Sequence, residues 1–118
     1  MHKSRIQVVE DDRLTAADLE CCLEGLGYRV VANVASGEQA IASAVEIRPN
    51  LVIMDIRLRG RMNGIEAGSL IREQWGIPAV YLSACVDEAR ECGCAYIRKP
   101  FTVGALRSVL ESVLSAAA

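Results

Sequence analysis

Short aliphatic and β-branched runs alternate along this chain with stretches whose apolar positions recur every three or four residues. Ile6-Gln7-Val8-Val9 reads as a strand that stops at the acidic run Glu10-Asp11-Asp12. Leu14 to Leu26 follows as a helix, with Leu19, Cys22, Leu23 and Leu26 on one face and Gly27 past its end. Tyr28 to Val34 is the next strand. Ser36 then opens a helix with Gln39 three residues on, a capping-box spacing that satisfies free backbone N–H groups. That helix carries Ala40, Ile41, Ala44 and Val45 inward and stops before Pro49.

Leu51-Val52-Ile53-Met54 is a continuous apolar run ending at Asp55, as expected of a strand covered on both faces. A loop, Arg57 to Asn63, leads into a helix from about Gly64 to Gln74. Ala79 to Leu82 is a fourth strand ending at Ser83, and Ala95-Tyr96-Ile97 a short fifth. The last helix, about Val103 to Ser115, repeats Leu106, Val109, Leu110, Val113 and Leu114 at helical spacing, with Thr102 placed to cap it. Only Ser83 to Cys94 remain for the fourth crossover, about the minimum that a parallel connection needs. A shortened fourth helix over Val86 to Cys92, of about two turns, is all that fits. Strands alternating with helices predict an α/β fold: a doubly wound, five-stranded parallel sheet with helices on both faces.

Composition narrows the field. With 118 residues, 52% of them hydrophobic, the chain forms one domain able to bury roughly two-thirds of its unfolded surface. Thirteen Lys and Arg against 15 Asp and Glu leave a formal charge of -2, and aromatics are only 4%. Both argue against direct nucleic-acid binding. No apolar run approaches the ~18 residues of a membrane span, and the stretch MHKSRIQVVEDD lacks the apolar segment expected of a signal peptide. The five cysteines form no CxxC pair, so a reduced cytoplasmic protein with packing cysteines is expected.

The chemistry gathers at the carboxyl ends of the strands, where open parallel sheets bind their ligands. Strand one ends in Glu10 and Asp11, strand three in Asp55 and strand four in Ser83, while strand five runs into Lys99. In a sheet ordered 2-1-3-4-5 these ends converge. Three carboxylates in one pocket repel one another, and a divalent cation with a taste for hard oxygen ligands, Mg²⁺, resolves the conflict. Asp55 sits deepest and is placed to act as a nucleophile toward an activated phosphorus. Ser83 can donate a hydrogen bond to a phosphoryl oxygen, and the Lys99 ammonium can neutralise another. Taken singly, an acidic run is a solvated loop or a cap, a strand-end Asp a turn residue, and a lysine a surface charge. The joint placement is what points to phosphoryl chemistry.

With these residues in place, the chain resembles the receiver domain of two-component response regulators, the CheY-like superfamily. The resemblance runs from about Arg5 to Leu114 and rests on IQVVEDD, PNLVIMDIRL with NGIEAG behind it, VYLSA and YIRKPF. It implies that Glu10, Asp11 and Asp55 hold Mg²⁺ together with the backbone carbonyl of Arg57. Asp55 is then the phosphoacceptor, Ser83 and Tyr96 the switch pair, and Lys99 a catalytic lysine followed by a cis bond to Pro100. Glu10 stands where the family often has Asp, and its longer arm is tolerated because that residue tends to act through water.

A single receiver domain over residues 1–118 is expected, with a core of about 5–114 and a loose tail at 115–118. With nothing after the last helix, the resemblance is to stand-alone regulators and phosphorelay intermediates. A histidine kinase or histidine phosphotransfer protein would supply the phosphoryl group, and an unidentified downstream protein would read it; homodimerisation is left open. Such a domain catalyses only its own phosphorylation and dephosphorylation and is not otherwise an enzyme. Two other classes compete: a phosphate-independent adaptor that kept the fold, and a Mg²⁺-dependent phosphohydrolase. Arg57 stands two positions after Asp55, where a hydrolase would place a second carboxylate.

Overall fold

The computed structural model describes residues 3–85, 87, 90 and 93–117. Strands β1 (Arg5–Val9), β2 (Arg29–Val34), β3 (Leu51–Asp55), β4 (Ala79–Ser83) and β5 (Tyr96–Arg98) form one sheet in the order β2-β1-β3-β4-β5. Every pairing is parallel. The helices are α1 (Arg13–Gly25), α2 (Gly37–Ile47), α3 (Gly64–Trp75) and α4 (Val103–Ala117). Of the expected short helix over Val86 to Cys92, all but Asp87 and Arg90 lie outside the described residues.

Alternation along the strands builds two cores. Ile6, Val8, Leu51, Ile53 and Leu82 face α1 and α4, where Leu19, Leu23, Leu106 and Leu110 are fully buried. Val9, Val52, Met54 and Tyr81 face α2 and α3 through Ala40, Ala44, Ala67 and Ile71. Small residues let α2 and α3 lie close to the sheet, and Gly68 carries this furthest, giving room to the Tyr81 ring. Val45, expected inward, is instead 44% exposed. Ala40 and Ala44 already make the stripe that meets the sheet, and Val45 lies beyond its edge.

The helix starts are set by side chains at the strand ends. Asp12 caps α1, accepting from the N–H groups of Leu14 and Thr15, and Thr102 accepts from Ala105 N–H at the start of α4. Ser36 accepts from Gln39 N–H, but the Gln39 side chain reaches back to Ala35 rather than to the cap residue. The reciprocal capping box stands at α3, between Asn63 and Glu66. At the opposite end of the sheet, Arg5 donates to the carbonyls of Ile47 and Arg48, closing the C-terminus of α2. Cys21, Cys22 and Cys85 are free thiols, Cys21 exposed, whereas Cys94 is disulfide-bonded. Cys22 and Cys94 pack against the two cores as expected, and Cys94 alone among the described cysteines departs from the reduced state expected of them.

Candidate functional site

The sheet order places the ends of β1, β3 and β4, and the residues following β5, side by side. Glu10 follows β1 directly and is fully buried, with its N–H bonded to the Val34 carbonyl of β2. Its side chain then points into the space above β3, where Asp55 ends its strand, 7% exposed. Lys99 joins them from beyond β5, held by a bond from its N–H to the Ser83 carbonyl. The bond from Lys99 to Pro100 is cis.

Lys99 ties the two buried carboxylates together. Its Nζ lies 2.6 Å from Glu10 Oε1 and 3.0 Å from Asp55 Oδ2. The remaining oxygens are also engaged: Asp12 N–H donates to Glu10 Oε2 at 3.2 Å, and Arg57 N–H to Asp55 Oδ1 at 3.2 Å. Glu10 thus meets Lys99 directly, a contact that its longer arm makes feasible. Burial pushes the Glu10 carboxyl up to about 7, against the opposing pull of the Lys99 hydrogen bond, and the nearby Asp55 charge adds to the rise. Desolvation would lower Lys99, but its hydrogen bonds to Glu10 and Asp55 win, and its pKa is raised.

Asp11 stands at the rim, its side chain 20% exposed and 3.6 Å from the Arg59 guanidinium. Glu10, Asp11 and Asp55 each offer a carboxylate oxygen within 4.8 Å of the others. Three acidic groups face one half-buried ammonium, and all the donors are hard oxygens, which suits a small divalent cation such as Mg²⁺. The residues present fit the ion.

Asp55, Ile56, Arg57, Ser83, Ala84 and Lys99 line a cavity of about 180 Å³ beside the triad. Ser83 is in its wall, yet its hydroxyl is closed on its own loop. Oγ donates to the Cys85 carbonyl and accepts from the Cys85 N–H at 3.1 Å. Tyr96 is not part of this wall. It is half-buried, paired with Tyr81 across β4 and β5, and hydrogen-bonded to Arg90. Six of the seven expected site residues therefore come together, and Tyr96 stands one strand removed. A larger groove of about 560 Å³ at the opposite end of the sheet, between Lys3, Arg48, Trp75 and Leu114, contains none of them.

Two contacts here were not expected from the sequence. A Cβ at Gly64 would stand 2.0 Å from the Asp55 carbonyl oxygen, so α3 starts hard against the end of β3. The Arg59–Asp11 pair is the other. A glycine directly after Asn63 at a helix start is a visible signal of close approach, whereas the arginine carries no signal of its partner.

Comparison with known proteins agrees with this geometry. The sequence model of the response regulator receiver domain matches residues 6–111. The transcriptional regulatory protein PdtaR of Mycobacterium tuberculosis is 35% identical over 117 residues, covering 94% of this chain and 57% of that protein. The DNA-binding response regulator MtrA of Mycolicibacterium paratuberculosis is 39% identical, covering 84% of this chain and 46% of that protein. The chain thus spans about half the length of these curated relatives. Among solved structures, the signal receiver domain of a modulated diguanylate cyclase from Desulfovibrio desulfuricans superposes with a TM-score of 0.90. It is 27% identical, and the match covers 98% of this chain and 97% of that one.

Proposed function

This chain belongs to the response regulator receiver domain family, and from that premise we propose that it is a phosphoacceptor switch in a two-component or phosphorelay system. Asp55 takes a phosphoryl group from the phosphohistidine of a kinase or phosphotransfer protein in the cytoplasm, and the modified domain changes its affinity for a downstream protein. One observation carries the reading above all. A strand-end carboxylate, Asp55, is buried beside a cavity with the Lys99 ammonium 3.0 Å from one of its oxygens.

The chemistry asked of the chain is small. A carboxylate oxygen of Asp55 attacks phosphorus, the O–P bond forms as the donor's N–P bond breaks, and the imidazole nitrogen leaves with the electron pair. Lys99 orients Asp55 through their 3.0 Å contact, and its ammonium offsets charge on the phosphoryl oxygens. Ser83 has a hydroxyl in the cavity wall that can turn from the Cys85 carbonyl to a phosphoryl oxygen. Glu10, Asp11, Asp55 and the Arg57 carbonyl would hold Mg²⁺, which supplies further charge neutralisation. Tyr96, paired with Tyr81 across β4 and β5, would report a movement of Ser83 to the outer edge of the sheet.

Incubation with Mg²⁺ and acetyl phosphate tests the reading. One stable phosphoryl group per chain, removed by Asp55→Asn, is the expected result. Catalytic release of phosphate would mean a phosphohydrolase, and no labelling would mean a phosphate-independent adaptor.

A further inference from the structure

The acidic triad divides its counter-charges unequally. Glu10 and Asp55 share Lys99, whose side chain is only 24% exposed. Among the described residues Asp11 is paired only with Arg59, at 3.6 Å, and the arginine side chain is 93% exposed. An ion pair in that setting contributes little stability and is readily exchanged, unlike the enclosed contacts of Lys99. The loop is nonetheless shaped to present this arginine. Gly60 follows it with φ of +112°, a reversal that favours glycine, and a Cβ there would stand 3.2 Å from the Glu38 carboxylate at the start of α2.

Resting on the reading of the triad as a cation site, we propose that Arg59 is a displaceable counter-ion for Asp11. While the pocket holds no cation, the guanidinium occupies the carboxylate at the rim. A divalent cation that takes Asp11 as a ligand must displace it, because one oxygen pair does not serve both charges at full strength. Arg59 therefore sets the affinity and the salt dependence of cation binding. The arrival of the cation also frees a guanidinium at the mouth of the site. Arg61 belongs to the same loop, carries the same charge and makes no ion pair among the described residues, which makes it the natural control.

Titration calorimetry of Mg²⁺ into the whole chain at low ionic strength reads the competition without any phosphorylation. Arg59→Ala should bind Mg²⁺ about two- to fivefold more tightly than the parent chain. Arg61→Ala should gain clearly less, and the advantage of Arg59→Ala should shrink in high salt. An unchanged or weaker affinity in Arg59→Ala would overturn the proposal, as would an equal gain in Arg61→Ala. A parent chain that binds no Mg²⁺ at all would overturn the cation site itself, and this proposal with it.

Discussion

The phenol of Tyr81 occupies the space that a side chain at residue 68 would need: a Cβ at Gly68 would stand 2.1 Å from Tyr81 Oη and 2.9 Å from Cζ. Tyr81 is 3% exposed and adjoins Tyr96 through the pairing of β4 with β5. The two residues form a matched set across the α3–sheet interface.

Gly68→Ala should therefore destabilise the fold, although alanine is the better helix former by about 1 kcal/mol. Overpacking at such a contact costs about 1–3 kcal/mol, so a net loss of about 1–2 kcal/mol is expected in urea unfolding. Tyr81→Phe in the same chain should recover part of it, because the ring carbon stays close when the oxygen is gone. Full additivity of the two changes would show that the residues do not meet.

Asp55→Asn should abolish labelling by acetyl phosphate and by a phosphohistidine donor while unfolding within about 1 kcal/mol of the parent. The exchange is nearly isosteric and removes one of two carboxylates that face each other. Mg²⁺ binding should weaken, since a ligand loses its charge. Phosphate detected at full stoichiometry on the mutant would move the acceptor elsewhere.

The pH dependence has a definite sign. Burial raises the Glu10 carboxyl from 4.5 to about 7 in the fold, so between those values the folded chain binds more protons than the unfolded one. Its stability in the presence of a chelator should then fall as pH rises from about 4.5 to about 7, by about 1–3 kcal/mol. Glu10→Gln should flatten this slope. A chelated parent chain that grows more stable across the same window would contradict the placement of Glu10.

Arg57, Arg59 and Arg61 give the loop after Asp55 a basic surface on a chain of net charge -2. Transfer from an acidic phosphohistidine protein should slow about three- to tenfold between low and high salt, and Arg61→Ala should lower the low-salt rate. Rates flat in both experiments would mean that the loop does not steer the donor.

Much of this was legible in the sequence for a physical reason. Strands covered on both faces are unbroken apolar runs, so Asp55 and Ser83 stand out as the polar residues that end them. The sheet order then brings those ends together. Contacts that depend on the reach of a side chain were not legible. Nothing in a single chain of letters says that Glu10 meets Lys99 directly, that Arg59 leans on Asp11, or that Gly68 makes room for Tyr81. Helix faces fared unevenly. Leu19 and Leu23 are buried as their spacing implies, while Val45 shares the periodicity of α2 and lies outside. Asn63 and Glu66 carry the same four-residue signal as Ser36 and Gln39, and only the former pair closes into the reciprocal box.

Lys99 joins residues separated from it by 89 and 44 positions. The site is thus stitched from the opening, the middle and the closing portions of the chain. During synthesis, a growing polypeptide that has not yet released residue 99 holds Glu10 and Asp55 without their ammonium. It should take no phosphate. A chain nicked near Gly76 would likewise regain labelling only when its two fragments reassociate. On the proposed reading, phosphorylation of Asp55 would in this sense certify completed folding, and a receiver that is half made would stay silent toward a kinase.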